Sequence, residues 1–346
     1  MRIAVAMSGG IDSSVTAALL KQEGHDVSGI TMRLPHGDAA ITAAVRSAGE
    51  IGIPHEVIDV RQAFTQNIIQ PFCREYQAGR TPNPCTYCNA RIKFGIMLDY
   101  VLQTGAERLA TGHYARLEPA LANGSIILKK GRDLRKDQSY FLCLLTTAQL
   151  RRVMFPLGDI TKQQVHEMAS RLGLTSVERE ESQEICFIPG GNAAAFVADF
   201  TGETALPGPI LNTAGKAVGE HHGITAYTVG QRHGLGIASP RPLYVTAIDA
   251  ARNAVIVGEK ESTYGTSLIA GNLNWLTAEP PARPFPASVK IRYRAPDAKA
   301  TVTPREDNRA YVEFEQPQFA ITPGQTVAFY EGDIVLGGGI IATGVN

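Results

Sequence analysis

Short apolar runs alternate with segments of helical periodicity over the first 112 residues. Four runs have the length and composition of strands, at residues 3–7, 26–32, 55–60 and 108–111. Segments with helical patterns lie between them, at residues 14–21, 39–51 and 62–77. Strands and helices in alternation predict a parallel sheet with helices on both faces.

Beyond residue 200 the pattern changes to short β runs separated by Gly, Pro and Asn. The runs lie at residues 242–248, 254–258, 288–293, 309–314 and 325–330. Short strands of this kind, with frequent turn residues between them, predict small β-barrels.

The stretch between these two regions carries mixed signals. Asn123-Gly124 between two apolar runs predicts a hairpin turn. Helices are predicted over residues 146–153 and 161–172, with Thr161 as an N-cap, and a short apolar strand around Cys186. The chain therefore divides into an α/β domain (1–200), a central small β domain (201–264) and a C-terminal β-barrel domain (265–346).

Composition narrows the protein class. The chain has 346 residues and no formal net charge, so any nucleic-acid surface must be local. Five cysteines in a chain of this length do not indicate a disulfide framework. No apolar run approaches the roughly 18–20 residues of a membrane span, and the N-terminus shows no signal-peptide pattern. We expect a cytoplasmic enzyme with no membrane partner.

Two stretches concentrate positive charge. Residues 129–136 carry five basic side chains against one acid, and residues 283–305 carry six against one. A charge run is usually a solvated face, and the alternative is contact with a nucleic-acid backbone.

The first strand leads into the loop Ser8-Gly9-Gly10-Ile11-Asp12-Ser13, which opens a helix. Glycines let the backbone approach an anion closely, and the helix N-terminus presents free N–H groups. The loop predicts a phosphate site, although no lysine follows the glycines as in a Walker A loop. Because ligands bind at the carboxyl ends of parallel strands, Met32 and Gly112-His113 should share this crevice. A core role is the alternative for Met32.

A second candidate site lies at Cys85-Thr86-Tyr87-Cys88, where two prolines stiffen the preceding loop. We predict a helix from about Ala90, whose N-terminus would lower the pKa of these thiols. Two incidental cysteines are one alternative. A four-cysteine zinc site is another, but the chain has no second C-x-x-C.

The ordered set of motifs resembles the bacterial tRNA-specific 2-thiouridylases of the MnmA type, in the PP-loop ATP pyrophosphatase superfamily. The matching strings run from Ser8–Ser14 through residues 79–84, 111–114, 136–142 and 181–188 to Gln325. The resemblance implies a PP-loop domain followed by two β-barrel-like domains. It implies ATP-dependent replacement of the C2 oxygen of the wobble uridine by sulfur, in tRNAs for Glu, Gln and Lys.

The resemblance also implies roles for individual residues. Cys186 would carry sulfur as a persulfide, and Cys88 would attack it. ATP would lie against Ala6, Met7, Ser8, Gly9, Gly10, Ile11, Asp12, Ser13, Met32 and Gly112, with Met32 at the adenine and Asp12 beside Mg²⁺. The tRNA would contact Asn83, His113, Lys136, Asp137, Gln138, Arg292, Tyr293 and Gln325. A sulfur-donor protein, either a persulfide relay or a desulfurase, is the implied second partner.

Cys85 departs from the family pattern, in which much of the family has Asp. Cys85, Cys88 and Cys186 could then hold a [4Fe–4S] cluster with one open iron, and this chemistry is favoured narrowly over a persulfide and disulfide. Two other functions remain open: a PP-loop synthetase that adenylates a small molecule, and an RNA-binding protein with an inactive nucleotide loop.

Overall fold

The computed structural model describes residues 1–120, 126–174, 185–277 and 279–345. The predicted turn at Asn123-Gly124 and residues 181–184 of the matching motif lie outside these ranges.

The N-terminal half forms the predicted parallel sheet and a hairpin. Its strands are, in chain order, β1 Arg2–Ala6, β2 Asp26–Arg33, β3 His55–Asp59, β4 Arg108–Ala110, β5 Ala115–Pro119, β6 Ile126–Lys130 and β7 Val153–Met154. Within the described ranges the sheet order is β3-β2-β1-β4-β7, and all neighbours are parallel. The α/β class and strands β1 to β4 are therefore confirmed.

Helices cover the sheet and continue beyond it. They are α1 Ile11–Gln22, α2 Ala39–Ile51, α3 Arg61–Phe64, α4 Gln70–Gln77, α5 Pro84–Tyr87, α6 Leu98–Gln103, α7 Thr147–Leu150, α8 Lys162–Arg171 and α9 Ala193–Thr201. A π-helical segment, Thr65–Ile69, joins α3 to α4, and another, Cys88–Met97, joins α5 to α6.

Two helix predictions need correction. The helix expected from about Ala90 begins at Pro84, because proline fits the first helical turn and the Asn83 side chain accepts a hydrogen bond from the Cys85 N–H. The helix predicted over 146–153 ends at Leu150, and Val153 extends alongside β4 instead. Thr161 caps α8 as predicted.

The central domain is a small sheet of β8 Gly208–Asn212, β9 Ala217–His221, β10 Tyr244–Asp249 and β11 Ala254–Gly258. Its order in the described residues is β10-β11-β8-β9. The buried side chains of Ile210, Val245, Val255 and Val257 form its core.

The C-terminal domain is a closed barrel. Its strands are β12 Tyr264–Trp275, β13 Phe285–Lys290, β14 Ala298–Arg305, β15 Arg309–Phe319, β16 Thr326–Glu331 and β17 Ile334–Val345. The described strands follow the order β12-β15-β14-β13-β16-β17, and pairing of β12 with β17 closes the ring. The predicted strand over 288–293 begins and ends earlier, so Arg292 and Tyr293 lie in the turn after β13.

The barrel and the N-terminal domain share structure. The predicted hairpin forms, since β5 pairs antiparallel with β6, but it does not join the parallel sheet. Instead β6 meets β17, with Lys129 opposite Ile334. One buried cluster contains side chains from both domains, among them Tyr140, Leu142, Cys143, Ala328, Tyr330 and Val335. None of the helices in the described ranges has the length and apolarity needed to cross a bilayer.

Candidate active site

The loop between β1 and α1 is shaped by glycine. Gly9 has a φ of +75°, and a Cβ there would lie 2.3 Å from the Cβ of Ala43, so no other residue fits. The hydroxyls of Ser13 and Ser14 both donate to the Gly10 carbonyl, at 2.9 and 3.1 Å. Ser13 and Ser14 are buried, whereas Ser8 is exposed.

The other residues predicted at the nucleotide site surround this loop. Met7 and Ile11 are buried, whereas Ala6 is half-buried and offers little beyond its backbone. A Cβ on Gly112 would lie 2.8 Å from the carbonyl carbon of Asp12, so the end of β4 packs directly on the loop. The half-buried Met32 lies in β2, which neighbours β1. The structure therefore brings Gly112 against the loop, and a nucleotide crevice at these strand ends stays a prediction.

A lysine that sequence reasoning missed lies at the loop. The ammonium of Lys162, the first residue of α8, is 2.9 and 2.8 Å from the two carboxylate oxygens of Asp12. The Tyr114 hydroxyl donates to the same carboxylate at 2.6 Å. The sequence signalled only the N-cap at Thr161. The loop thus acquires a cation near the phosphate position without a Walker lysine.

The three candidate thiols come from two segments. Cys85 lies in α5, and Cys88 begins the π-helical segment Cys88–Met97. Cys186 is exposed in a turn closed by a hydrogen bond from the Ile188 N–H to the Ile185 carbonyl, so the predicted strand is wrong. The turn is anchored by the adjacent Phe187, which is 1% exposed. Its ring packs against Phe64, Phe72 and Phe196.

Burial dominates the electrostatics of these thiols. Desolvation raises the pKa of Cys85 to about 11 and that of Cys88 to about 12, and it also raises the pKa of Cys186. The nearby Lys93 ammonium acts in the opposite direction on the pKa of all three thiols. The prediction that the helix N-terminus gives thiolates of low pKa is therefore wrong for this state of the protein.

One thiol and one residue predicted at the nucleotide pack on the same buried cluster. Cys88 and Met32 both pack against the buried cluster that contains Phe187. Burial lowers the pKa of His113, which follows Gly112, well below its ordinary value. The nearby Lys93 ammonium lowers this pKa further. In the described residues, no group of three His, Cys, Asp or Glu side chains is arranged to bind a metal ion.

Several residues predicted to contact tRNA are engaged in hydrogen bonds within the protein. Asp137 is 4% exposed, and its carboxylate accepts bonds from Gly131 and Ser139. The amide of Gln325 donates to the Thr81 carbonyl, and the guanidinium of Arg292 donates to the Phe319 carbonyl.

The remaining members of this set differ in what they present. The Gln138 amide oxygen accepts from the Tyr114 N–H, and His113 Nδ1 lies 2.7 Å from the Thr111 hydroxyl. The Tyr293 ring lies 4.5 Å from that of Phe141. Lys136 and Asn83 are half-buried.

The two basic stretches are also partly neutralised. Lys129 pairs with Glu118 at 3.0 Å, and Lys130 pairs with Asp297. The exposed basic residues of the two stretches are Arg132, Arg135, Arg283, Arg294, Lys299 and Arg305. Fewer basic side chains in these stretches are therefore available to contact RNA than the sequence predicts.

Comparison with known proteins gives matches along the whole fold. Family profiles match in three successive segments: a tRNA methyl transferase HUP domain over residues 1–190, a tRNA methyl transferase PRC-barrel domain over 194–259, and an aminomethyltransferase beta-barrel domain over 265–341. These support the fold class of one parallel-sheet domain followed by two β domains.

Full-length relatives are similar over nearly the entire chain. The tRNA-specific 2-thiouridylase MnmA of Syntrophotalea carbinolica is 48% identical over 98% of each chain. Its namesake from Geobacter metallireducens is 48% identical over 98% of this chain and 96% of the relative. The one from Magnetococcus marinus is 46% identical over 98% of each. At this identity and coverage, the chain belongs to the tRNA-specific 2-thiouridylase family.

Proposed function

We propose that this protein uses ATP to replace the C2 oxygen of the wobble uridine in tRNAs for Glu, Gln and Lys with sulfur. The observation that carries the proposal is a buried cluster shared by two sets of predicted site residues. The cluster around Phe187 packs against Met32, which is predicted at the adenine, and against Cys88, whose pKa is affected by Cys186.

The first step is AMP transfer. The uridine C2 oxygen attacks the α-phosphorus of ATP, and the bond to pyrophosphate breaks. Pyrophosphate departs along the Ser8–Ser13 loop, where the N-terminus of α1 and the Lys162 ammonium supply positive charge. Ala6, Met7 and Gly112 line the nucleotide with backbone atoms, and Met32 lies against the adenine.

The second step moves sulfur. Cys88 attacks Sγ of the Cys186 persulfide, and the terminal sulfur leaves with the electron pair of the broken S–S bond. That sulfur displaces AMP at C2, while Cys88 and Cys186 end as a disulfide. A thiol reductant supplies two electrons to restore them, and a persulfide relay or desulfurase reloads Cys186. Cys186 lies in an exposed turn that another protein can approach, although its thiol is desolvated.

Mg²⁺ suits the phosphate loop. One carboxylate together with substrate phosphates is a usual magnesium environment, and the half-buried Asp12 would offer that carboxylate in exchange for its contact with Lys162. Bound there, Mg²⁺ would neutralise phosphate charge during AMP transfer.

A [4Fe–4S] cluster fits less well. Three thiolates would have to converge on it, and the described residues contain no group of three such side chains arranged for a metal. We therefore propose the persulfide route through Cys88 and Cys186, and we derive no step through a cluster.

We propose that tRNA lies across the junction of the three domains, in the cytoplasm. In this proposal the RNA contacts Asn83, His113, Lys136, Gln138, Arg292, Tyr293 and Gln325. Because the Asp137 carboxylate is buried, we assign it to supporting the loop that presents Lys136 rather than to RNA contact.

Pyrophosphate release tests the proposal against both alternatives. We expect release from ATP only when tRNA is present. Release without RNA would indicate a synthetase that adenylates a small molecule. Binding of tRNA with no release under either condition would indicate an RNA-binding protein with an inactive loop.

A further inference from the structure

The helix that carries Cys85 and Cys88 rests directly on the C-terminal barrel. Thr86 lies between the two cysteines and is fully buried. Its hydroxyl oxygen lies 3.0 Å from that of Thr326, the first residue of β16, which is also fully buried. These two hydroxyls join residues 240 positions apart.

Further hydrogen bonds join the same two segments. The hydroxyl of Tyr140 donates to the Thr326 carbonyl at 2.7 Å, and Tyr140 also bonds the side chain of Asn83, which caps this helix. Just before the helix, the Thr81 N–H donates to the Pro323 carbonyl at 2.9 Å. The Gln325 amide donates to the Thr81 carbonyl at 2.8 Å.

Close backbone packing reinforces the contact. A Cβ on Gly324 would lie 3.0 Å from backbone atoms of Thr81, so these two backbone segments approach as closely as glycine allows. Buried hydrogen bonds between rigid elements fix position strongly, because water cannot replace a lost partner. The first turn of the cysteine helix is therefore placed by the barrel as well as by its own domain.

We propose that Thr326 is a positioning residue for Cys88, so that the barrel sets the place of the attacking thiol. The inference rests on the proposed function, because it assigns Cys88 the attack on sulfur. A displacement of about 1 Å at a reacting group lowers a rate about a hundredfold. The barrel then acts in the sulfur-transfer step in addition to any grip on tRNA.

The test compares Thr326→Val with Thr326→Ser. Valine keeps the branched shape and removes the hydroxyl, whereas serine restores it. Thr263→Val is the matched control, since Thr263 is 6% exposed and its hydroxyl donates to the Lys260 carbonyl, away from the cysteine helix.

Three quantities are measured: tRNA affinity, pyrophosphate release, and single-turnover sulfur transfer from protein loaded at Cys186. We expect Thr326→Val to keep the first two within about twofold and to slow sulfur transfer by about tenfold or more. Thr326→Ser and Thr263→Val should remain near the unmodified protein. Sulfur transfer at the unmodified rate in Thr326→Val overturns the proposal, as does an equal loss of all three activities.

Two further measurements protect the test. If Thr326→Val does not fold, Tyr140→Phe removes the hydroxyl that bonds both the Thr326 carbonyl and the Asn83 side chain, and it should give the same selective loss. The rate of Cys88–Cys186 disulfide formation under a mild oxidant reports thiol position without tRNA or ATP. That rate should fall in Thr326→Val, and an unchanged rate overturns the positioning role. Absence of tRNA-dependent pyrophosphate release from the unmodified protein would refute the proposed function alone.

Discussion

The Lys162 ammonium lies 2.9 and 2.8 Å from the two carboxylate oxygens of Asp12, although the residues are 150 positions apart. Tyr114 donates to the same carboxylate. The pair lies at the start of two helices, α1 and α8, and it places a positive charge beside a glycine loop that has none in its own sequence. Nucleotide chemistry at this loop should therefore depend on both residues.

Replacement of Asp12 should affect AMP transfer and spare RNA binding. We expect Asp12→Ala to lower tRNA-dependent pyrophosphate release by about a hundredfold or more, since the carboxylate that holds Lys162, and would hold Mg²⁺, beside the phosphates is lost. Affinity for tRNA, measured by filter binding, should stay within about twofold. Thiolation retained in this variant would refute our assignment of the loop.

Salt dependence should separate exposed from neutralised basic residues. Arg135 is exposed, so Arg135→Ala should reduce the slope of log affinity against log salt by about one unit. We expect Lys136→Ala to act in the same direction. Lys129→Ala is the control, because Lys129 already pairs with Glu118 at 3.0 Å and should leave the slope unchanged. Equal slopes for all three variants would indicate that residues 129–136 form a solvated surface that does not contact RNA.

Cysteine variants should distinguish the persulfide route from a cluster. We expect Cys88→Ser and Cys186→Ser to abolish thiolation, because each thiol forms a covalent bond to sulfur in the proposed route. Cys85→Ser should keep activity within about fivefold, since Cys85 takes no covalent part. Iron content after anaerobic reconstitution is measured in parallel. About four irons per chain, lost together with activity in Cys85→Ser, would favour the cluster instead.

The reactivity of Cys88 should rise steeply with pH in the resting protein. Burial raises the pKa of this thiol to about 12, so the thiolate is a small fraction at neutral pH. Alkylation of Cys88 by iodoacetamide, followed by mass spectrometry, should accelerate about tenfold per pH unit between pH 7 and 10. Lys93→Met should slow it at every pH, because Lys93 favours the thiolate. A plateau below pH 9 would contradict this prediction.

The same pKa shift affects stability in a defined direction. The folded protein retains the Cys88 proton at pH values where the unfolded chain, with a pKa near 9, has lost it. The free energy of unfolding should therefore fall as the pH rises above about 9. Urea midpoints at pH 8 and 10 measure this, and Cys88→Ser should show a smaller decrease.

Local pattern was sufficient for the elements around the nucleotide loop. Short apolar runs and the placement of glycines act over a few residues. They predicted strands β1 to β4, the helix after Gly10 and the approach of Gly112 to the loop. The apolar residues around Cys186 led to the wrong prediction of a strand. They form a turn because Phe187 inserts among aromatic rings from α3, α4 and α9, which no local periodicity encodes.

Contacts between residues far apart along the chain could not be predicted from the sequence. Lys162 has no local feature that connects it with Asp12, and the pairing of Lys130 with Asp297 joins residues 167 positions apart. Burial of the Cys88 thiol likewise depends on how helix, turn and barrel meet, so the expected low thiol pKa was wrong. The strand start at Phe285 was missed because Pro286 cannot donate a ladder hydrogen bond. It is tolerated there because it lies opposite Thr301 of β14, whereas pairing with β16 begins at Ser288.

The pairing of β6 with β17 has a consequence for synthesis of the chain on the ribosome. The hairpin Ala115–Pro119 with Ile126–Lys130 emerges early, whereas Ile334–Val345 emerges after the whole central domain. At ordinary translation rates the edge of this hairpin waits roughly ten seconds or longer for its neighbour. An unpaired strand edge is a template for association with other chains. The nascent protein should therefore depend on chaperones in this interval, and a chain truncated before β17 should aggregate.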